Sequence, residues 1–351
     1  MTDLTRRDLA RFGGAALVAA VAARSGLSVA ATSEDVLRHV DPELRPAARM
    51  VLQMDGEGNQ WNDEGLKRMR ASGGGPPDAA RLPDVPVEEL KVPVGQGQPD
   101  VTIFVINAKA GGKRPGILHT HGGGHILGSA RSEVAYEQAL AKELDCIIVT
   151  VDYRLAPETT YRGSIEDNYA ALRWMYAQAD RLGLDRSHIV AMGESAGGTH
   201  AALLALTARD RKEVPLAGQI LIYPMLDDRT GSSITPPPYI GAVGWSAAAN
   251  RFGWKSFLGM EPGGANVPAA AVPARRTDLA GLAPAYIAVG GIDLFVSEDI
   301  EYARRLTEAG VPTELLVLPG AFHGFDRVAP DTAIAKQFTA AKLGALRKAF
   351  G

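Results

Sequence analysis

The chain has 351 residues, 46% hydrophobic and 22% charged, with 37 Lys and Arg against 40 Asp and Glu. That is ordinary globular composition at about two domains' length, or one large α/β unit, and it excludes a disordered tail, a collagen-like repeat and a polytopic membrane protein. The formal net charge of −3 lacks the basic footprint of a nucleic-acid binder, and the single cysteine, Cys146, excludes an internal disulfide framework and a multi-cysteine zinc site.

The first residues read as an address. Arg6 and Arg7 precede Asp8 and Leu9, and from 12 to 23 nothing is charged and almost every residue is small or apolar. That run is too short to span a hydrocarbon core of ~30 Å, and long enough for a signal-peptide apolar region. Small residues around Ser28, Ala30 and Ala31 suit a signal peptidase. The stretch from Thr5 to Leu9 resembles the twin-arginine export signal, a receptor-read address and not an anchor. Residues 1–31 are therefore expected to be removed, leaving a periplasmic or secreted protein without stable membrane anchoring. A basic amphipathic helix packed on the body is the plainer alternative. Without 1–31, which hold four Arg and two Asp, the net charge moves from −3 to −5.

From 33 to 70, Val36, Val40, Leu44, Ala47, Val51 and Met54 recur at helical spacing. Ser72-Gly-Gly-Gly-Pro-Pro-Asp78 is a breaker cluster and marks a linker. Beyond it, strand-like runs at 101–107, 116–121, 147–151, 189–192, 219–223, 285–289 and 314–318 alternate with helical ones. The helical runs are 134–144, 164–181, 196–208, 297–308 and 332–350. The alternation predicts an α/β fold with a mainly parallel sheet covered on both faces. There is no internal repeat. Residues 226–283 break the rhythm with no strand, three prolines at 236–238, and Trp245, Phe252, Trp254 and Phe257. Such an insert predicts a lid or cap. Its aromatic residues, with Met50 or Met54, either line a pocket or fill the cap's own core, the plainer reading. The organisation is thus a signal segment (1–31), N-terminal cap helices and linker (32–78), and a catalytic domain (79–351) to which 226–283 adds cap helices.

After the second strand-like run stands His119-Thr-His-Gly122-Gly123-Gly124-His125. Three consecutive glycines let backbone approach a ligand and present N–H groups. An acyl-transfer enzyme needs such donors where negative charge develops on the carbonyl oxygen. A metal site on the histidines is the rival reading, but no Asp follows and glycines supply no ligands. A phosphate cradle is a second rival, but the Gly-Lys-Ser/Thr of a P-loop is missing.

Between a strand and an Ala/Leu-rich helix lies Gly193-Glu194-Ser195-Ala196-Gly197. A tight strand-to-helix turn needs small residues beside its serine, and it aims the hydroxyl into the site while the Ala196 N–H faces a forming oxyanion. An ordinary Gly/Ser-rich turn is the bland alternative. A serine nucleophile needs a base. Of His39, His119, His121, His125, His188, His200 and His323, only His323 falls in a C-terminal loop after a strand, as the order Ser, Asp, His requires. Asp293, following the strand-like run at 285–289, is the matching acid that would orient the imidazole. Glu298 and Asp299 are fallback acids, better suited to opening the next helix. His200 and Cys146 read as packing residues. Asp167 and Asn168 either cap a helix or support the loop bearing Glu158.

The succession HGGG, VDYRLAPE, GESAGG, Asp293 and His323-Gly-Phe resembles the hormone-sensitive-lipase-like esterases, bacterial family IV, from about 101 to the C-terminus. The resemblance implies an α/β-hydrolase fold with an eight-stranded sheet and a helical cap. It implies Ser195, Asp293 and His323 as the triad and Gly123, Gly124 and Ala196 as the oxyanion hole. His121 and Gly122 would support the glycine loop, and Asp152, Arg154 and Glu158 would form a buried polar brace beneath it. No cofactor or metal is implied. The expected partner is a small ester of short to medium chain length, with no nucleic acid and a homodimer left open. Lactonase, amidase or deacetylase action on the same triad is the alternative, and a non-catalytic small-molecule binder a remote one. Two departures stand out. Glu194 replaces the commoner Asp, and Leu294 to Glu298 read Leu-Phe-Val-Ser-Glu where Pro-Leu-Arg-Asp-Glu is commoner.

Overall fold

The computed structural model describes residues 33–56, 61–72 and 81–351. The expected signal segment and residues 73–78 of the linker cluster lie outside these. Eight strands form one sheet in the order β1-β2-β4-β3-β5-β6-β7-β8. They are β1 (Val87–Val92), β2 (Val101–Ile106), β3 (Arg114–Thr120), β4 (Ile147–Asp152), β5 (Leu184–Glu194), β6 (Gly218–Ile222), β7 (Ala285–Gly290) and β8 (Thr313–Leu318). β2 pairs antiparallel with β1 and β4, and the six strands from β4 to β8 in the sheet are parallel. The strands β4 and β6 are mostly apolar and buried along nearly their whole length because both faces of the sheet are covered. The edge strand β1 escaped the sequence reading: Glu88, Glu89 and Lys91 interrupt its apolar run, as a half-solvated edge permits.

Among the described residues the helices are α1 (Ser33–Leu37), α2 (Arg45–Gly56), α3 (Asp63–Ser72), α4 (Ala130–Leu144), α5 (Tyr161–Ala177), α6 (Ala179–Leu182), α7 (Ala196–Arg211), α8 (Ala247–Leu258), α9 (Val296–Glu308), α10 (Phe325–Val328) and α11 (Ala333–Phe350). Side chains alternate along each strand, so the core has two halves. Leu118, Val149, Ala191 and Ile287 face α5, α7 and α9. Ile117, Ile148, Val190 and Ala288 face α4, α11 and α1. Helix α7 is buried nearly all round, so it carries Ala and Leu without a polar stripe. None of these helices is long and apolar enough to cross a membrane.

The helical pattern over 33–70 is not one helix. Pro42, which has no N–H to continue a helix, opens a new turn, and the Asp41 side chain caps it by accepting from the Glu43 N–H at 2.9 Å. The chain then runs on as α2 and α3. The insert between β6 and β7 contains α8 and two short 3₁₀ turns. It meets the N-terminal segment through aromatic contacts: His39 stacks on Tyr239 at 3.9 Å, and Trp61 meets Trp245 edge-on at 5.3 Å and Phe252 at 6.4 Å.

Candidate active site

Ser195 sits between β5 and α7 with φ 56° and ψ −122°, outside the basins an L-residue prefers. Backbone bonds hold it there: its N–H donates to Ile222 O at 2.9 Å, and its carbonyl accepts from the N–H groups of Met225 at 3.1 Å and Thr199 at 3.3 Å. The flanking glycines are required by space. A Cβ on Gly193 would stand 2.3 Å from the Gly197 backbone, and one on Gly197 would stand 2.0 Å from Thr120 O.

His323 and Asp293 come from the loops after β8 and β7, which touch each other: the Gly291 N–H donates to Leu318 O and the Ile292 N–H to Ala321 O. Together they place His323 Nε2 2.9 Å from Ser195 Oγ and His323 Nδ1 2.8 Å from Asp293 Oδ2. Asp293 Oδ1 accepts from the Phe295 N–H at 3.0 Å. The rings of Tyr223 and Phe295 stand edge-on to the imidazole at 4.9 and 5.2 Å. Asp293 is fully buried and His323 nearly so. Of the fallback acids, Glu298 is engaged elsewhere: it accepts from the N–H groups of Leu226 and Asp227 and from the Thr230 hydroxyl.

The glycine loop lies opposite. A Cβ on Gly122 would stand 3.5 Å from Ser195 Cβ. Gly123, at φ 120°, accepts at its carbonyl from Ile126 and Leu127, turning the loop sharply. None of the N–H groups of Gly123, Gly124 and Ala196 is taken up by a backbone carbonyl among the described residues. A methyl on Gly124 would stand 2.3 Å from the ring of Trp245, which therefore roofs the loop.

His121 donates from Nδ1 to Gly122 O at 2.8 Å and stacks on Tyr153 at 4.2 Å, while Tyr153 Oη donates to His121 O at 2.6 Å. Burial pushes the His121 imidazole down, so it stays neutral. Tyr153 was missed as a support, although it lies inside the VDYRLAPE run. His125 stacks on Phe257 at 4.0 Å, and burial pushes it down to about 3. His200 packs beside Tyr153 at 4.2 Å. Of the insert's aromatics, Trp254 and Phe257 are buried core, while Trp245 and Phe252 cluster around Trp61. Met50 is exposed.

The expected buried brace is corrected. Asp152 caps the start of α4, accepting from the Ala130 N–H at 2.9 Å. Arg154 instead forms a bidentate pair with the buried Asp167, at 2.8 and 2.9 Å. Glu158 is two-thirds exposed, with 66% of its side chain accessible, and pairs with Arg70 at 2.7 Å. The residue that reaches beneath the loop is Arg70 of α3. Its guanidinium donates to Ile126 O at 2.8 Å and Ala156 O at 2.7 Å. Nothing local in the sequence marks Arg70, because its partners lie more than eighty positions away in part.

Comparison with known proteins agrees with this geometry. A family model described as the α/β hydrolase fold matches residues 117–327. The esterase LipI of Mycobacterium tuberculosis is 38% identical over 234 residues, covering 66% of this chain and 72% of its own. The carboxylesterase NlhH of the same organism is 34% identical over 321 residues, covering 88% of this chain and 97% of its own. Among solved structures, a bacterial heroin esterase matches with a TM-score of 0.79 at 36% identity, covering 90% of this chain and 99% of its own. The chain belongs to the α/β-hydrolase-fold family, on its hormone-sensitive-lipase-like branch.

Proposed function

We propose that the protein is a serine carboxylesterase that cleaves small carboxylic esters through an acyl-enzyme on Ser195. The observation that carries this reading is the unbroken chain Ser195 Oγ, His323, Asp293, at 2.9 and 2.8 Å, beside the N–H groups of Gly123, Gly124 and Ala196, which meet no backbone carbonyl among the described residues. The esterases among its relatives support it. His323 Nε2 takes the serine proton as Oγ attacks the ester carbonyl. Asp293 stabilises the imidazolium and holds its tautomer. The N–H groups of Gly123, Gly124 and Ala196 receive the oxyanion, each donor contributing about 2.7–4 kcal/mol to lowering the barrier. The imidazolium then protonates the leaving alcohol. Water, deprotonated by His323, attacks the acyl-enzyme and releases the acid.

The segments 33–72 and 226–283 form the cap in this reading. Trp245, lying over Gly124, closes the space above the oxyanion donors and favours short to medium acyl groups. Residues 1–31 act as the export address, which N-terminal sequencing of secreted material checks.

The test is hydrolysis of p-nitrophenyl esters of increasing chain length, together with labelling by a fluorophosphonate. Activity is expected to peak at short to medium chains, and Ser195→Ala is expected to lose both label and activity, the latter by roughly 10⁴-fold or more. Intact protein that neither labels nor hydrolyses any of these esters would overturn the reading.

A further inference from the structure

Beneath the nucleophile lies a buried charge cluster for which the reaction above has no use. Glu194 ends β5 directly before Ser195, and His119 stands near the end of β3, two residues before the glycine loop begins at His121. The two strands are parallel neighbours, with Thr120 opposite Gly193. His119 Nε2 lies 2.7 Å from Glu194 Oε2. Its Nδ1 faces the Glu137 carboxylate of α4 and, at 3.0 Å, the Thr150 hydroxyl of β4. His119 and Glu137 are 0% exposed and Glu194 5%.

An imidazole whose two nitrogens both meet anionic carboxylates donates from both, and only the imidazolium does so. Burial opposes that charge, but the Glu137 and Glu194 carboxylates outweigh it and hold His119 well above its ordinary value. Burial likewise opposes an anionic Glu194, yet His119 brings it down to about 2, helped by Arg327 and Lys342. Burial, the larger effect, raises Glu137. The outer members of the cluster are themselves paired. Arg327 binds Glu133 at 2.9 Å and Lys342 Nζ donates to Tyr136 Oη at 2.5 Å.

We propose that His119, as an imidazolium, and Glu194 are positioning residues whose ion pair locks the strand end carrying the oxyanion loop against the strand end carrying Ser195. The distance from nucleophile to oxyanion donors depends on two separate strand ends, and catalysis tolerates little error in it. On the other face the Thr120 hydroxyl clamps the same ends by donating to Gly197 O at 2.8 Å. The ion pair completes the clamp. A buried pair with both nitrogens engaged resists displacement, because any gap leaves a charge unsolvated.

The inference rests on Ser195 being the nucleophile, and one experiment separates the two. The rate of Ser195 phosphonylation by a fluorophosphonate is measured for the full chain and for His119→Gln, Glu194→Gln and the double variant. Each single variant is expected to react roughly ten- to a hundredfold more slowly at saturating probe, with probe binding within about twofold. The double variant should be no slower than the slower single one, since both remove the same pair. Single variants at the wild-type rate, or a double effect equal to the product of the singles, overturn the positioning role. A wild-type chain that does not react overturns the serine reading instead. Should the variants fail to fold, ¹⁵N-histidine NMR of the wild type decides at pH 8. A ring with both nitrogens protonated, protected from exchange and distinct from the exposed histidines, is expected, and its absence overturns the proposal.

Discussion

Ser195 is held in a conformation that costs free energy. A non-glycine residue at φ 56° and ψ −122° carries strain of about 1–3 kcal/mol, and the bonds to Ile222 and Met225 hold it in place. Glycine tolerates this backbone, so Ser195→Gly is expected to be inactive yet about 1 kcal/mol more stable than Ser195→Ala in urea unfolding. Equal stabilities would show that the turn is unstrained. Gly124 makes a second case. With φ 60° and Trp245 where its side chain would be, Gly124→Ala should push the indole away and displace the N–H proposed to receive the oxyanion. Ester hydrolysis should fall about 10²-fold, and adding Trp245→Leu should recover part of it. A double variant no better than Gly124→Ala would mean that the backbone conformation, and not the indole, sets the loss.

At the scale of elements, α3 buries Leu66 and Met69 in the core and ties itself to the chain after the glycine loop through Arg70. Arg70 joins α3 to Ile126, just past the glycine loop, and to Ala156 and Glu158 beyond β4. Removing it leaves two carbonyls without their charged donor, so Arg70→Ala should cost about 1–3 kcal/mol and raise the KM for esters. Glu158→Gln should cost less than about 1 kcal/mol, because that carboxylate is mostly solvated and its pairing is screened. Urea unfolding at low and high salt reads both: the Glu158 effect should shrink with salt and the Arg70 effect should largely persist. A cost for Glu158→Gln equal to that of Arg70→Ala would place the anchor in the ion pair and not in the carbonyl contacts.

For the molecule as a whole, acid stability should be set in part by buried neutral histidines. Burial holds His125 down to about 3 and His200 well below its ordinary value, with His125 and His121 adding to the effect at His200. Below about pH 6.5 the unfolded chain takes up protons at these positions that the native chain refuses, so stability falls as pH drops from there toward 3. Above pH 6.5 they contribute no slope. Melting temperatures from pH 7 to 4 should therefore decline less steeply for His200→Phe, whose new ring faces Tyr153 and Phe257. An unchanged slope would assign acid sensitivity to other groups. Cys146 is fully buried, and burial raises its thiol. Thiol reagents should therefore react with it only on unfolding.

Much of the fold was legible because its signals are local. A strand buried on both faces reads as a continuous apolar run, as β4 and β6 do; the edge strand β8 is read from the apolar run Leu315–Leu318 although it is half-solvated, and β1 is not, because Glu88, Glu89 and Lys91 interrupt it. Ser195, Asp293 and His323 were legible for a similar reason. Ser195 directly follows β5, Asp293 and His323 stand in the loops that follow β7 and β8, and the glycines beside Ser195 record a backbone clearance that only a missing Cβ provides. The brace was not legible. Asp152, Arg154 and Glu158 are six positions from first to last, but their partners Ala130, Asp167 and Arg70 arrive from three different helices. The pairing of His119 with Glu194 depends on β3 lying beside β5, a neighbour relation between segments far apart in the chain. The sequence by itself determined where strands end and which residues stand at those ends, since backbone conformation and burial pattern are properties of short segments. Only the tertiary structure decided which charges meet, because a side chain's partner is whatever the packed sheet and helices bring within hydrogen-bond reach.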